Sequence, residues 1–149
     1  MKEYRNLHTK LHRFNLLASE IDSVYHNVAV RLGLSDSAMS VLYTLCDEGG
    51  VCLIGELSRR SGLSKQTIHS SLYKLEAAGI IRIEPVDKKQ KRAALTEAGM
   101  QYARKTVLPV IEIEEAIFSS WTQAEQELYL ELTERYLTAF REKAKGVGA

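Results

Sequence analysis

Apolar residues recur at helical spacing through the middle of the chain and predict two short helices. The first helix carries Leu57. The second carries its apolar residues at i, i+4 and i+7, which places them on one face: Ile68, Leu72 and Leu75. Gly62 and Ser64 lie between the two helices. Glycine favours the left-handed backbone that ends a helix and serine is a common N-cap, so the pattern predicts a helix, a tight turn and a second helix.

The face of the second helix opposite those apolar residues is polar, and its first turn contains no carboxylate. Carboxylates are favoured at this positive end of the helix dipole. In helix-turn-helix proteins the N-terminal residues of the second helix contact base edges in the major groove, where glutamine suits adenine and lysine suits guanine or phosphate. The predicted base contacts are Lys65, Gln66, Thr67, His69 and Ser70, and Lys74 is a predicted backbone contact.

A β-hairpin is predicted after Gly79, with strands over residues 80–85 and 91–95. The turn between the strands is basic, and its one acidic residue is Asp87. A cationic projection of this kind suits a phosphate backbone or the minor groove. The predicted DNA contacts of the hairpin are Lys88, Lys89, Lys91 and Arg92.

Long helices with apolar faces are predicted at both ends of the chain. The first runs over residues 3–31 and repeats its apolar residues at helical spacing: Leu7, Leu11, Phe14, Ala18, Ile21, Tyr25 and Val28. The last follows Thr122, which matches a capping box with Glu125, and its apolar residues stand four apart: Leu128, Leu132, Tyr136 and Phe140. Because no nearby segment can cover these faces completely, the sequence predicts a two-fold homodimer whose terminal helices share one core.

Three shorter features complete the predicted organisation. Ser35 or Asp36 caps a helix that ends near Gly49, and residues 51–52 form a short strand beside the hairpin. A further helix begins after Thr96 and contains Pro109, where the missing N–H and the ring predict either a kink or an end and a restart.

Composition is typical of a globular protein, with 45% hydrophobic and 26% charged residues among 149. We predict one domain over residues 1–149, a DNA-binding part at about 35–98, and dimerisation helices at about 1–32 and 100–145. No apolar run approaches the roughly 20 residues that span a bilayer, and the N-terminus lacks a secretory apolar region. A cytoplasmic protein without a membrane partner is therefore expected.

The net charge of +1 conceals an asymmetry along the chain. Residues 56–92 contain nine basic and four acidic side chains, a balance of +5. Residues 112–142 contain eight acidic and two basic side chains, a balance of −6. A polyanion would therefore be attracted to the middle of the chain and repelled by its C-terminal part.

The order of these residues resembles the MarR family, the multiple antibiotic resistance regulators. The match consists of a Leu-Ser-x-x-x-Gly-Leu-Ser turn, a recognition helix, Asp-x-Lys in the hairpin and Leu-Thr-x-x-Gly after it. The residues that carry it are Leu57, Ser58, Gly62, Leu63, Ser64, Thr67, Leu75, Glu76, Gly79, Asp87, Lys89, Leu95, Thr96 and Gly99. The resemblance implies a mainly α-helical winged helix-turn-helix with a small β wing, and a dimeric transcription factor that binds double-stranded DNA.

The chain departs from the family pattern at two positions. The family usually has arginine where this wing has Lys89, and it tends to have alanine where this chain has Ser58. Lysine is a compact hydrated charge without the planar fork of arginine. Phosphate contact by the wing is therefore expected in preference to readout of a narrow minor groove.

Relatives in this family often bind small aromatic or lipophilic effectors, and the resemblance implies a similar pocket here. The aromatic and polar residues predicted to line it are Phe14, Tyr25, His26, Met39 and Tyr43. Those side chains are equally compatible with an ordinary core, since a pocket and a core use the same residue types.

The remaining candidates for chemistry favour simple structural roles. Cys46 and Cys52 are six residues apart, without the CxxC spacing of zinc or redox sites, and are predicted to be free thiols. His8 and His12 have a spacing that can bind a metal from one helix face, but no third ligand is near in sequence. No metal or cofactor site is predicted.

The predicted function is that of a dimeric repressor of a palindromic operator, relieved by a small molecule or another signal. The alternative is a winged-helix module that docks an acidic protein partner on its basic face. An enzyme is not predicted, because the chain lacks a nucleophile elbow, a phosphate-cradling glycine loop and paired carboxylates on neighbouring elements.

Overall fold

The computed structural model of the protein describes residues 9–149, which form seven α-helices and a three-stranded β-sheet. In chain order the elements are α1 (Lys10–Leu32), α2 (Asp36–Asp47), β1 (Val51–Leu53), α3 (Ile54–Ser61), α4 (Lys65–Ala77), β2 (Ile81–Pro85), β3 (Lys91–Leu95), α5 (Glu97–Lys105), α6 (Val107–Ser119) and α7 (Gln123–Ala144). A mainly helical chain with a small β wing confirms the predicted fold class. The chain divides into two compact units, Met1–Pro109 and Val110–Ala149. The predicted single domain stays a prediction.

The core of the first unit lies where α2, α3 and α4 pack together. Its fully buried side chains include the residues that the helical spacing predicted on α3 and α4, together with their partners on α2: Val41, Leu42, Leu45, Leu57, Ile68 and Leu72. Burial of a leucine or isoleucine side chain contributes about 1.5–3 kcal/mol relative to exposure. This packing fixes which face of α4 points away from the protein.

The turn between α3 and α4 has the predicted chemistry. Gly62 adopts a left-handed backbone at φ 67°, which glycine reaches without steric strain. The Oγ of Ser64 accepts a hydrogen bond from the N–H of Thr67 at 3.2 Å and caps α4. The turn of the helix-turn-helix therefore lies where the sequence predicted it.

The sheet is antiparallel with strand order β1-β3-β2. The hairpin strands pair as predicted, with Ile81 opposite Leu95 and Glu84 opposite Arg92. The short strand β1 pairs with the edge of β3 that is not paired with β2, and Val51 lies opposite Ala94. The hairpin is thus anchored to the core at its base, and its tip projects beyond the paired strands.

The Leu-Thr-x-x-Gly segment joins the wing to α5 through one residue with two roles. The Oγ1 of Thr96 accepts from the N–H of Gly99 at 2.9 Å, which caps α5. The same hydroxyl donates towards the carbonyl oxygens of Gly79 and Ile80, at 2.6 Å and 3.2 Å. Thr96 therefore fixes the start of α5 against the turn that opens the wing.

Two helix boundaries can be compared with the predictions: the start of α1 and the break between α5 and α6. The backbone at Thr9 is extended and its side chain accepts from the N–H of His12, so α1 begins at Lys10. The prediction of a helix continuing from residue 3 is therefore wrong at Thr9, because this local cap starts the helix there; residues 1–8 lie outside the described part. Between α5 and α6 the helix ends and restarts at Thr106. Pro109 is the third residue of α6, a position whose N–H would lack a helical partner.

The second unit contains α7 and most of α6. The predicted capping box is present, with mutual hydrogen bonds between Thr122 and Glu125. Three aromatic rings pack together at the turn between α6 and α7. The centroid of the Trp121 ring lies 5.3 Å from the ring centroids of both Phe118 and Tyr129. In the single chain α7 has no buried residue.

A candidate DNA-binding surface

The exposed face of α4 presents the predicted polar residues together. Lys65, Gln66, His69, Ser70 and Lys74 are all exposed, and no carboxylate lies in the first turn of the helix. The aromatic ring of Tyr73 belongs to the same face, because the residue is 74% exposed. The helical spacing placed Tyr73 on this polar face but left a core position open, so Tyr73 was not among the predicted DNA contacts.

Thr67 differs from the other predicted base contacts. Its side chain is half-buried, and its Oγ1 accepts a hydrogen bond from Ser64 Oγ at 2.9 Å. The Thr67 hydroxyl oxygen therefore already accepts a hydrogen bond from the N-cap residue of α4. It retains a proton that it can donate.

The turn at the tip of the wing is held by Asp87. Its Oδ1 accepts from the backbone N–H groups of Lys89 at 2.7 Å and Gln90 at 2.8 Å. The carbonyl of Gln90 in turn accepts from the N–H of Val86 at 2.9 Å. The acidic residue of the wing thus orders the loop that presents Lys88 and Lys89.

The N-terminal part of α4 and the wing tip line one cleft of about 490 Å³, here called the wing cleft. Its cationic and titratable lining consists of Lys65, His69, Lys88, Lys89 and Lys91, and its acidic lining consists of Glu56 and Asp87. The Glu56 carboxylate is paired with Arg59, and Asp87 is engaged by the wing backbone. The lysines of helix and wing therefore converge on one groove that suits a phosphate backbone.

Arg92 lies in β3, further from the tip of the hairpin than Lys88, Lys89 and Lys91. Its Nε donates to Glu84 at 2.8 Å, and the same carboxylate accepts from Arg82. The guanidinium of Arg82, followed by that of Arg92, lowers the pKa of Glu84. The predicted phosphate contact of Arg92 would therefore come from a residue that is already oriented by an acidic neighbour.

A second cleft, of about 710 Å³, lies on the other side of α4, against the junction of α1 and α2; we call it the corner cleft. Its lining includes four of the predicted DNA-binding residues: Gln66, Thr67, Ser70 and Lys74. Ser71 Oγ donates to Ser37 Oγ at 3.0 Å and ties the buried side of α4 to the start of α2. Sequence reasoning missed this cleft, because its two walls are about 30 residues apart in the chain.

The five residues predicted to line an effector pocket occupy several environments. Met39 is buried in the core, Tyr43 is half-buried, and Phe14 and Tyr25 are exposed on α1. His26 pairs through Nδ1 with the carboxylate of Asp36 at 2.9 Å. None of the five lines the wing cleft or the corner cleft, so the pocket formed by these residues stays a prediction.

Both cysteines are free thiols, as predicted. Burial raises the pKa of Cys46 to about 11 from an ordinary value of 9.0. Burial, followed by the Glu48 carboxylate, also raises the pKa of Cys52. A raised pKa keeps a thiol protonated and less reactive at neutral pH. Within residues 9–149 no cluster of three or more histidine, cysteine or acidic side chains has the arrangement of a metal site.

A helix-turn-helix with a cationic wing beside its second helix defines the winged helix-turn-helix class of DNA-binding proteins. A family model described as the MarR family matches residues 32–93, a segment that includes α2, α3, α4 and most of the wing. Over that segment the chain is similar to the MarR family, and the match places the helix-turn-helix and the wing in register with the family's DNA-binding part. Among residues 9–149, no helix has both the length and the apolar character required to cross a membrane.

Solved structures of several regulators share this fold. A MarR family regulator from Neisseria meningitidis aligns with a TM-score of 0.75 at 22% identity, over 95% of this chain and 99% of its own. S. aureus MepR, solved in a complex with DNA, aligns with a TM-score of 0.66 at 16% identity, over 89% and 98%. Bordetella bronchiseptica BpsR, whose DNA binding is regulated by 6-hydroxynicotinic acid, aligns with a TM-score of 0.64 at 17% identity, over 89% and 96%. Among curated protein sequences none matches this chain.

Asp87→Ala is expected to weaken DNA binding, whereas Asp87→Asn is expected to preserve or strengthen it. Both variants remove a negative charge near the wing lysines, which by itself favours phosphate binding. Only asparagine keeps a side-chain oxygen that can accept from the N–H groups of Lys89 and Gln90. By fluorescence anisotropy on one duplex, we expect Asp87→Ala to bind about fivefold more weakly than Asp87→Asn, the effect of about one hydrogen bond. Equal affinities would show that these hydrogen bonds do not position the wing.

Proposed function

We propose that this protein is a MarR-family transcriptional regulator that binds double-stranded DNA as a homodimer, with α4 in the major groove and the wing on the sugar-phosphate backbone. The observation that carries the proposal is the convergence of the exposed face of α4 and the wing lysines on the wing cleft. Helix residues reach base edges, while lysines spaced around a groove neutralise phosphates. MepR, which shares this fold, has been solved in a complex with DNA, and this supports DNA as the partner.

The dimer is supported by apolar surface that a single chain leaves open to water. On α1 the exposed large apolar residues include Leu11, Phe14, Ile21 and Val24, and on α7 they include Leu128, Leu132, Tyr136 and Phe140. Large exposed apolar residues along one helix, on each of these helices separately, are typical of an interaction site. A two-fold dimer would hold two copies of α4 about 34 Å apart and match a near-palindromic operator.

Repression relieved by a signal is the form of regulation that we propose for this dimer. A winged helix bound across an operator blocks access of other proteins to that DNA. The regulation of BpsR by 6-hydroxynicotinic acid is one example in which a regulator with this fold responds to a small acid. A cytoplasmic location follows from the proposed role on operator DNA.

The two groups of DNA contacts are expected to respond differently to substitution. Lys89→Ala should weaken binding to all duplexes to a similar extent and lower the slope of log affinity against log salt by about 0.9, the value of one phosphate contact. Gln66→Ala should relax the preference at one base pair, which is typically about 1–3 kcal/mol. Anisotropy titrations on a set of operator variants at several salt concentrations measure both effects.

Lys143→Ala on α7 is the matched control, because it removes the same charge from the second unit. It should leave the salt slope unchanged. The proposed roles are refuted if Gln66→Ala weakens every operator variant equally, or if Lys143→Ala lowers the slope as much as Lys89→Ala does. The alternative function, docking of an acidic protein partner, would be favoured if the protein protects no defined DNA footprint while binding acidic proteins.

A further inference from the structure

His69 lies among charged side chains in the wing cleft. On its own helix, Lys65 stands one turn before it and the phenol of Tyr73 one turn after it. The charged groups that line the cleft with it from α3 and from the wing are Glu56, Asp87, Lys88, Lys89 and Lys91. Imidazole is the side chain whose charge ordinarily changes between about pH 5 and pH 8. Among the described residues that line the cleft, His69 is therefore the group that can gain a charge near neutral pH.

Both carboxylates of the wing cleft are already engaged by other groups. The Glu56 carboxylate pairs with the guanidinium of Arg59 at 2.5 Å. The Asp87 carboxylate accepts from two backbone N–H groups at the tip of the wing. Within residues 9–149, no carboxylate forms an ion pair with His69. In the protein alone, an imidazolium at this position would therefore stand beside lysines without an anion of its own.

A DNA phosphate would supply the anion that His69 lacks. The side chain of His69 is exposed, and the lysines around it attract phosphates to the same groove. An imidazolium donates hydrogen bonds through both ring nitrogens, whereas a neutral imidazole donates through one. Hydrogen bonds in which the donor is charged are roughly twice as strong as those between neutral groups. Contact with a phosphate therefore favours the protonated form of this side chain.

We propose that His69 binds a DNA phosphate as an imidazolium, so that each subunit takes up a proton from solvent when the protein binds DNA. The inference rests on the proposed DNA-binding function and adds a dependence on pH to it. Because the bound state holds more protons than the free state, the affinity for DNA rises as the pH falls. The rise ends once the imidazole is protonated in both states. At alkaline pH the imidazole is neutral in both states, and the affinity is again independent of pH.

Anisotropy titrations of the full-length protein with one duplex, at about pH 6 and about pH 8, measure the coupling. We expect the wild type to bind at least about tenfold more tightly at the lower pH, the effect of one charge-assisted contact. His69→Gln should bind with the weaker affinity at both pH values, because glutamine stays neutral. His69→Lys should bind with the tighter affinity at both, because lysine stays charged. Burial raises the pKa of Cys46 to about 11 and also raises that of Cys52, so neither thiol titrates in this range.

His26→Gln is the matched control, because it removes the same titrating group from α1. The Nδ1 of His26 lies 2.9 Å from the carboxylate of Asp36, and His26 does not line the wing cleft. This histidine therefore has an anion within the protein whether or not DNA is bound. His26→Gln should keep the wild-type dependence on pH. The proposal is overturned if His69→Gln keeps that dependence, or if His26→Gln removes it.

The salt dependence distinguishes a phosphate contact from a contact with a base edge. One phosphate contact contributes about 0.9 to the slope of log affinity against log salt. For each subunit of the wild type, the slope should be steeper at the lower pH by about this amount. His69→Gln should have the same slope at both pH values. A pH-dependent affinity with an unchanged slope would place the imidazolium on a base and refute the phosphate contact.

Calorimetry counts the protons directly. Titrations of the duplex near neutral pH in PIPES and in Tris, two buffers with different enthalpies of ionisation, should give different binding enthalpies, because the buffer supplies the proton that the complex takes up. The difference should be smaller for His69→Gln and unchanged for His26→Gln. Equal enthalpies for the wild type in both buffers, with normal DNA binding, would reject the proton uptake and retain the DNA-binding function. Failure to bind any duplex at low salt and either pH would reject both.

Discussion

Gly99→Ala is expected to destabilise the first unit by about 3 kcal/mol, at the upper end of the range for overpacked sites. A Cβ at this position would lie 1.9 Å from the carbonyl oxygen of Ile80, which is less than any real contact. That oxygen belongs to the backbone and accepts from the N–H of Thr96 at 3.0 Å, so it cannot rotate away as a side chain does. To relieve this clash, α5 would have to move away from the backbone of Ile80, which precedes β2.

Urea denaturation of the two glycine variants gives the comparison. Gly55→Ala in α3 is the control, since no atom lies within 4 Å of its added Cβ. In a helix this substitution should stabilise by roughly 0.5–1 kcal/mol, the difference in propensity between glycine and alanine. The same substitution is thus expected to lower the free energy of unfolding at Gly99 and to raise it at Gly55. An unfolding midpoint of Gly99→Ala equal to that of the wild type would show that α5 accommodates the methyl group without strain.

Leu132→Glu is expected to prevent dimerisation and to lower operator affinity by at least about 100-fold, the avidity lost when two half-sites are bound independently. Leu132 is 47% exposed in the single chain and lines an apolar depression on the second unit with Trp121, Leu128 and Tyr129. A carboxylate at its position is tolerated in water. In an interface it would be buried without a partner, which is strongly unfavourable.

Thr138→Glu adds the same charge to the polar face of α7 and is the matched control. Thr138 is exposed, and its helical neighbours at i−4, i−3 and i+4 are Glu134, Arg135 and Glu142. Analytical ultracentrifugation should find this variant dimeric, with wild-type affinity for the operator. If Leu132→Glu also remains dimeric and binds normally, the apolar face of α7 does not form the dimer interface.

Local sequence signals predicted the boundaries of most elements. Gly62 and Ser64 define the turn of the helix-turn-helix, and the Thr122–Glu125 capping box starts α7 as expected. These motifs act within one helical turn, so the residues that determine them are adjacent in the sequence. The prediction that the first helix continues through Thr9 was wrong, because apolar periodicity does not reveal the extended backbone of a cap residue.

Contacts between distant segments were beyond prediction from one sequence. The family resemblance marked Asp87 and Gly99, but only the folded chain gives each a physical role: a hydrogen-bonded loop in one case and a close backbone approach in the other. Arg92 was expected to contact phosphate, and its pairing with Glu84 depends on strand register. Burial also decided that Tyr73 is exposed on α4 rather than part of the core.

The winged-helix fold class could be predicted from one chain, because helix caps, apolar periodicity and the run of wing lysines are local properties. The sequence also determined the polar face of α4, since a buried face at i, i+4 and i+7 leaves the opposite face outside. The position of α4 between two clefts, one shared with the wing and one with the α1–α2 junction, is a property of the folded chain and could not be predicted. A cleft is the space between elements, and its position depends on how segments far apart in sequence pack against one another.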